Sequence, residues 1–261
     1  MKSNHPFHLV SKSPWPIMLS INLLTVMLSL LKWLHFNMSI NLLILTILIN
    51  LLISFQWWRD INRESTFQGF HTKKVIKGMK MGMILFISSE IMFFLAFFWT
   101  FFHSSLSPAI QIGMLWPPKL IKPFNPLEIP LLNTIILLTS GATITWAHHS
   151  LLNNKMKETN KSTLLTIILG LYFTILQSWE YKESSFTISD SIYGSSFFMS
   201  TGFHGIHVMI GTTFILFTLL WSKNLHLNMY SHLGFEAASW YWHFVDVVWL
   251  ILYLSIYWWG K

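Results

Sequence analysis

One carboxyl group stands apart from the other acidic residues, because Glu90 lies in the middle of a long apolar run. The residues three and four positions away, on the same side of a helix, are Phe86, Ile87, Phe93 and Phe94. An ionised carboxylate in these surroundings would be strongly desolvated, which favours its neutral form. Intramembrane acids act as proton relays, ion sites or interhelical partners. Two interpretations stay open: a group that handles protons, and a neutral carboxyl hydrogen-bonded to a neighbouring helix.

Two pairs of histidines raise the question of a metal or a haem. His204 and His207 are three residues apart in one apolar run, and His148 and His149 are adjacent. A membrane haem usually takes one histidine from each of two helices, whereas each of these pairs lies in one segment. No third ligand stands at the spacing of a zinc site. With no cysteine in the chain, a zinc-thiolate site is excluded. The pattern favours histidines hydrogen-bonded between helices and predicts no metal in this chain.

A further polar pair occurs near the C-terminus, where His243 and Asp246 are three residues apart in an aromatic run. They could form a buried charge-assisted pair or part of a proton path. A polar contact that holds two helices together is the favoured interpretation.

A cluster of aromatic rings and guanidinium groups follows the second apolar run. It comprises Trp57, Trp58, Arg59, Arg63, Phe67 and His71. Arginine binds phosphate through two parallel hydrogen bonds, so the cluster could hold a lipid headgroup. Aromatic residues and basic charges are also the ordinary anchors of a membrane helix, and composition alone favours that simpler interpretation.

The sequence shows no catalytic constellation. No glycine-rich phosphate loop precedes a helix, no serine-centred nucleophile motif occurs, and no apolar run contains two carboxylates within one helical turn. The histidines and Glu90 must therefore be interpreted through the elements that position them.

Composition identifies those elements as membrane helices. Of the 261 residues, 53% are hydrophobic and 10% are charged, whereas a soluble domain has about 25% charged residues. The net charge of +7 sits in short gaps between apolar runs, which argues against a nucleic acid partner. We predict an all-α polytopic protein with spans at 15–34, 40–58, 78–102, 131–148, 162–179, 192–221 and 235–259, the third helix beginning as early as Thr72.

The distribution of basic residues predicts the orientation. With seven spans the termini lie on opposite sides, and 12 of the 17 lysines and arginines fall on the side of the N-terminus. The positive-inside rule places that side toward the cytoplasm or its organellar equivalent.

Several strings along the whole chain, in order, resemble the subunit III family of mitochondrial cytochrome c oxidase. They include Gln56–Asp60, Arg63–Gly69, Trp116–Pro118, Thr145–Ser150, Thr201–His207, Trp240–Trp249 and Ile256–Gly260. The resemblance implies one membrane domain of seven helices. Helices 1 and 2 (1–60) form one bundle and helices 3 to 7 (72–261) the other, with a lipid-filled V-shaped cleft between them.

The resemblance also implies a function. The chain would be a non-redox core subunit with no catalytic residue of its own, supporting the assembly, stability and proton uptake of the complex that passes electrons from cytochrome c to oxygen and pumps protons. Haem and copper would lie only in partner subunits I and II. Accessory subunits and phospholipids would bind the chain, cytochrome c would reach it only through the complex, and nucleic acid would not bind. The location would be the mitochondrial inner membrane, with the N-terminus in the matrix and the C-terminus in the intermembrane space.

Matching positions carry the family's site residues onto this chain. The lipid positions correspond to Trp57, Trp58, Arg63, Glu64, Phe67 and His71, which reverses the simpler interpretation of that cluster. Glu90 corresponds to the family's buried carboxyl, with a role in proton buffering or structure. The interhelical polar residues are His204, His207, His243 and Asp246. Trp221 and Asn224 stand where many relatives carry Arg and Lys, which leaves a second anionic-lipid site open. The alternative function is an independent proton or ion transporter that uses Glu90.

Overall fold

The computed structural model describes residues 6–36, 39–224, 226, 227, 229 and 232–261. Their helices are α1 (Trp15–Phe36), α2 (Asn41–Thr66), α3 (Lys73–Leu106), α4 (Ile129–Leu152), α5 (Met156–Glu183), α6 (Ser191–Lys223) and α7 (Leu233–Leu252). A π-helical segment, Tyr253–Trp259, continues α7, and a short 3₁₀ turn lies at Ile110–Ile112. These ranges include seven helices long and apolar enough to cross a membrane and no strand. The predicted all-α, seven-span fold is confirmed.

Some helices extend well past their apolar runs. The second was predicted to end at Trp58, but α2 continues to Thr66 through a polar segment. The third begins at Lys73, close to the early start allowed at Thr72. At 1.5 Å per residue, the 34 residues of α3 reach about 50 Å, whereas the hydrocarbon core is about 30 Å thick. The helix ends therefore place charged side chains beyond the apolar layer, where water can solvate them.

The chain divides into two compact units, Met1–Met79 and Lys80–Lys261. In the first, α1 and α2 are joined by buried polar contacts: Asn22 Nδ2 donates to the Thr46 carbonyl at 3.0 Å, and the hydroxyls of Ser29 and Thr46 are 3.2 Å apart. Such contacts hold helices together in lipid, where apolar burial gives little preference for protein over solvent. The predicted grouping of both parts into a single membrane domain stays a prediction.

The second unit is built around α7. In this helix 61% of the membrane-length window is buried, against 6% in α3. Trp242 of α7 is fully buried, and its Nε1 donates to Ser140 Oγ of α4 at 2.9 Å. Its ring lies against Gly170 of α5 and Gly211 of α6, where a Cβ atom would come within 2.8 Å of ring carbons. Two glycines thus let three helices close around one indole.

Candidate functional sites

The long third helix brings its carboxyl group against the sixth helix. Glu90 Oε2 of α3 lies 2.9 Å from His207 Nε2 of α6, and the two side chains are 23% and 10% exposed. Both residues are candidates from the sequence, but no spacing or motif pairs one with the other. The fold pairs them because each lies near the middle of its helix and faces the other helix.

The second nitrogen of His207 determines how many protons the pair holds. His207 Nδ1 is 2.7 Å from the carbonyl oxygen of Phe203, and a carbonyl can only accept, so Nδ1 carries a hydrogen. The contact between Nε2 and Glu90 then requires one more hydrogen, carried by either partner. The pair is therefore either an ion pair or a neutral carboxyl donating to a neutral imidazole. Loss of this one proton would leave a carboxylate facing a neutral imidazole.

Aromatic rings enclose this pair. The Phe94 ring meets the His207 imidazole edge-on at 5.0 Å, and the Tyr241 ring stacks at 6.3 Å. Phe244 of α7 lies at 6.3 Å from the same imidazole. A low-polarity shell strengthens the hydrogen bond and raises the cost of leaving either group unpaired.

His204 has a separate partner. It is fully buried, and its Nε2 donates to the Val245 carbonyl of α7 at 3.2 Å. Its ring packs against Phe173 at 5.6 Å and Trp249 at 5.1 Å. His204 and His207, one helical turn apart, therefore form their interhelical hydrogen bonds with different helices, α7 and α3, and do not form a joint site.

The predicted polar contact near the C-terminus is long. His243 Nδ1 is 3.8 Å from Asp246 Oδ2, which exceeds hydrogen-bond distance. Asp246 is buried and packs closely on α4, because a Cβ atom at Gly141 would lie 2.7 Å from its Oδ2. The contact between α4 and α7 thus depends on the absence of a side chain at Gly141.

The predicted lipid residues from Trp57 to Phe67 are distributed over three sides of α2, and His71 lies beyond its end. Trp57 and Glu64 are seven residues apart and share one side, where both are partly buried. Arg63 and Phe67 are four apart and share another side, and Phe67 is 78% exposed. Trp58 is 54% exposed, and helical geometry rotates it by about 140° from Arg63. The fold thus presents Arg63 and Phe67 together, and Trp58 on a different side of the helix.

Glu64 contacts the segment that precedes α1. Ser11 Oγ donates to Glu64 Oε1 at 3.2 Å, and His8 Nε2 lies 3.5 Å from Oε2. The His8 ring stacks on Phe70 at 5.1 Å and lies 5.9 Å from the His71 ring. Burial lowers the pKa of His71, and the neighbouring His8 lowers it further while Glu64 opposes the shift. The N-terminal segment therefore covers two of the six predicted lipid residues.

Asp60 makes a contact on this surface that sequence reasoning missed. Its Oδ2 accepts from Trp15 Nε1 at 2.8 Å, and its Oδ1 lies 3.1 Å from Arg59 Nη2. Trp15 is 45 residues away in the sequence, so no local pattern connects it to Asp60. The contact of Trp15 with Asp60 joins the start of α1 to the polar end of α2. The same Asp60 carboxylate also pairs with Arg59.

Another cluster of polar side chains lies at one end of the second unit. His148 of α4, His232 at the start of α7 and Glu236 of α7 place one ligand atom each within 4.8 Å of the others. Sequence reasoning missed this convergence because the two histidines belong to distant segments. The prediction that this chain holds no metal stays a prediction.

Seven long apolar helices with polar side chains meeting between them define a polytopic helical membrane protein. The chain matches the family described as cytochrome c oxidase subunit III over residues 5–261. It is similar to cytochrome c oxidase subunit 3 of Drosophila melanogaster, with 60% identity over 258 residues, which are 99% of this chain and 98% of that protein. The protein of the same name from Pisaster ochraceus is 57% identical over 261 residues, all of both chains. In Tachyglossus aculeatus aculeatus the identity is 58% over 257 residues, 98% of each chain.

This chain belongs to the cytochrome c oxidase subunit III family. It is a multi-pass membrane subunit of the multi-subunit oxidase of the respiratory chain, complex IV. The resemblance found in the sequence is confirmed, and the alternative of an independent transporter is not supported.

Proposed function

We propose that this chain is a non-catalytic core subunit of the oxidase in the mitochondrial inner membrane. It packs with subunits I and II and with accessory subunits, binds phospholipids, and meets cytochrome c only through the assembled complex. Haem and copper belong to the partner subunits. The N-terminus faces the matrix and the C-terminus the intermembrane space.

The hydrogen bonds of the buried histidines support the proposal that this chain holds no redox group. His207 uses one ring nitrogen on the Phe203 carbonyl and the other on Glu90. His204 uses Nε2 on the Val245 carbonyl. A haem ligand needs an imidazole nitrogen directed at the iron. These hydrogen bonds favour a structural role for both histidines over a role as haem ligands.

The same pair supports a role in proton handling. Glu90 and His207 share one proton beside a set of aromatic rings, so a change of protonation at this point alters the charge of a partly buried site. Such a pair can take up or release a proton without any redox group. We assign it to local proton buffering that sustains proton uptake by the complex, and not to a step of oxygen chemistry.

The outer side of α2 supports the lipid part. The Arg63 guanidinium is exposed and makes no hydrogen bond or ion pair with the described residues, and Phe67 beside it is 78% exposed. In contrast, Arg59 is already paired with Asp60. The Arg63 guanidinium can therefore donate two parallel hydrogen bonds to a phosphate while Phe67 contacts acyl chains.

Selective removal of this subunit from the purified oxidase tests the whole proposal. The remaining complex should keep its haem and copper and should start oxygen reduction at the rate of mock-treated enzyme. Its activity should then decay faster during turnover. Loss of haem or copper together with the subunit, or loss of the initial rate, would contradict a non-catalytic role.

A further inference from the structure

We propose that His148, His232 and Glu236 form a binding site for a Zn²⁺ ion at one end of the second unit. This proposal goes beyond the role as an oxidase subunit and does not rest on it. By the topology, the site lies at the membrane face that carries the N-terminus, because α4 ends there and α7 begins there.

The geometry is close to that of a zinc site. The three ligand atoms lie within 4.8 Å of one another. With Zn–N and Zn–O bonds of about 2.0–2.2 Å, tetrahedral ligand atoms stand about 3.3–3.5 Å apart. His232 Nε2 and Glu236 Oε1 are already 3.3 Å apart. His148, whose ligand atom lies within 4.8 Å of both, would then have to move closer to complete three protein ligands.

His148 is the residue whose surroundings point to an ion. Its Nε2 is buried and has no hydrogen-bond partner in the described part of the chain. Its ring lies 5.5 Å from the His232 ring and 5.8 Å from Phe235. Buried imidazole nitrogens normally have a partner, and an ion shared with His232 and Glu236 would provide one.

Lys80 leaves this set of ligands intact. Its Nζ forms an ion pair with Glu236 Oε2, on the opposite side of the carboxylate from the oxygen that faces His232. The carboxylate can therefore bind an ion through Oε1 and keep Lys80 on Oε2, as ligating carboxylates commonly do with an outer partner.

The donor chemistry selects the ion. Two imidazoles and one carboxylate with an open fourth position are typical zinc ligands, whereas calcium and magnesium prefer oxygen ligands alone. Zinc has no redox chemistry, so the site is compatible with a subunit that carries no electrons.

Equilibrium binding of radioactive Zn²⁺ to the intact purified oxidase, after treatment with a chelator, tests the proposal. His148→Asn and His232→Asn should each weaken one zinc site per complex at least tenfold. His149→Asn is the matched control, since this neighbouring imidazole contacts Asn153 at 3.0 Å and lies outside the cluster. The control should bind zinc like the parent.

Anomalous diffraction from the parent oxidase, with and without added zinc, tests the proposed site even if a variant fails to assemble. A zinc peak bonded to all three side chains supports the proposal. Density for a water molecule in place of zinc, at saturating zinc, would overturn the proposal. The proposal would also be overturned if the variants assemble with normal haem content and bind zinc as tightly as the parent.

Discussion

Glu90 Oε2 and His207 Nε2 lie 2.9 Å apart, although 117 residues separate them in the sequence. Because His207 Nδ1 already donates to the Phe203 carbonyl, this contact contains one hydrogen, which either partner can carry. The relationship links α3 to α6 and gives the only carboxyl group of the α3 interior a defined partner.

Glu90→Gln and Glu90→Leu should separate the structural role of this contact from its proton. The amide of Gln can still donate to a neutral His207, so the Gln variant should assemble and start oxygen reduction normally, with faster decay during turnover. Leu leaves the buried imidazole nitrogen unpaired and should destabilise the subunit by about 1–3 kcal/mol. Initial oxygen reduction and thermal release of the subunit are the measurements. A complete loss of initial activity in the Gln variant would show that Glu90 takes part in the chemistry.

Arg63→Ala, alone and with Trp58→Ala, should lose a phospholipid from the complex. In the proposed lipid site the exposed guanidinium makes the phosphate contact, and its removal would take away two charge-assisted hydrogen bonds. Oxidase turnover should begin normally and then decay. Mass spectrometry of lipid retained per haem measures the loss.

Arg59→Ala is the control for this surface, because Arg59 is equally basic but is paired with Asp60 at 3.1 Å. It should keep the phospholipid. If Arg63→Ala retains as much lipid as Arg59→Ala, the lipid site does not lie at Arg63.

Acid should loosen the segment before α1. Burial lowers the pKa of His71 from its usual 6.5, with His8 adding to the shift. The folded chain then binds fewer protons at this ring than the unfolded chain does. Its stabilising effect is full above about pH 6.5 and decreases as the pH falls toward the lowered folded value.

Hydrogen exchange of residues 6–14 between pH 8 and pH 5, corrected for the intrinsic exchange rate, measures this effect. Protection should fall below pH 6.5 in the parent and fall less in His71→Asn, which cannot take up the proton. Equal pH dependence in both proteins would rule out His71 as the cause.

Gly211→Ala should destabilise the second unit. A Cβ atom there would lie 2.8 Å from Trp242, whose ring is fixed between α5 and α6, and such overpacking costs about 1–3 kcal/mol. Gly82→Ala is the matched control, since nothing lies within 4 Å of its added Cβ and alanine favours a helix. Thermal release of the subunit should occur at lower temperature only for Gly211→Ala. A neutral result at position 211 would mean that Trp242 can shift.

Because the chain has no cysteine, single introduced cysteines can report its orientation. Lys157→Cys should react with an impermeant thiol reagent from the matrix side, and Lys119→Cys from the intermembrane side. Lys157 is exposed at the start of α5, and Lys119 is exposed in the loop between α3 and α4. Intact mitoplasts and inverted vesicles give the two labelling patterns, and the opposite pattern would reverse the proposed topology.

Sequence patterns alone predicted the helices well, because a bilayer imposes length and apolar composition on each span. They were less accurate at helix ends. The polar segment after Trp58 continues as helix to Thr66, since beyond the apolar layer the backbone keeps its own hydrogen bonds while charged side chains meet water. The quoted strings were equally informative about the family, which the comparisons confirm.

The candidate sites were predicted as separate residues, and only the fold decided which of them meet. Glu90 and His207 were singled out individually, and Asp60, Trp15 and the partners of His148 were not connected to any site. Apolar periodicity determines that a helix exists and that it crosses the membrane. It does not determine the rotation of one helix against another, which depends on close contacts such as those of Trp242 with Gly170 and Gly211. The class and family of this protein follow from its sequence, whereas the pairing of its polar groups follows from helix packing.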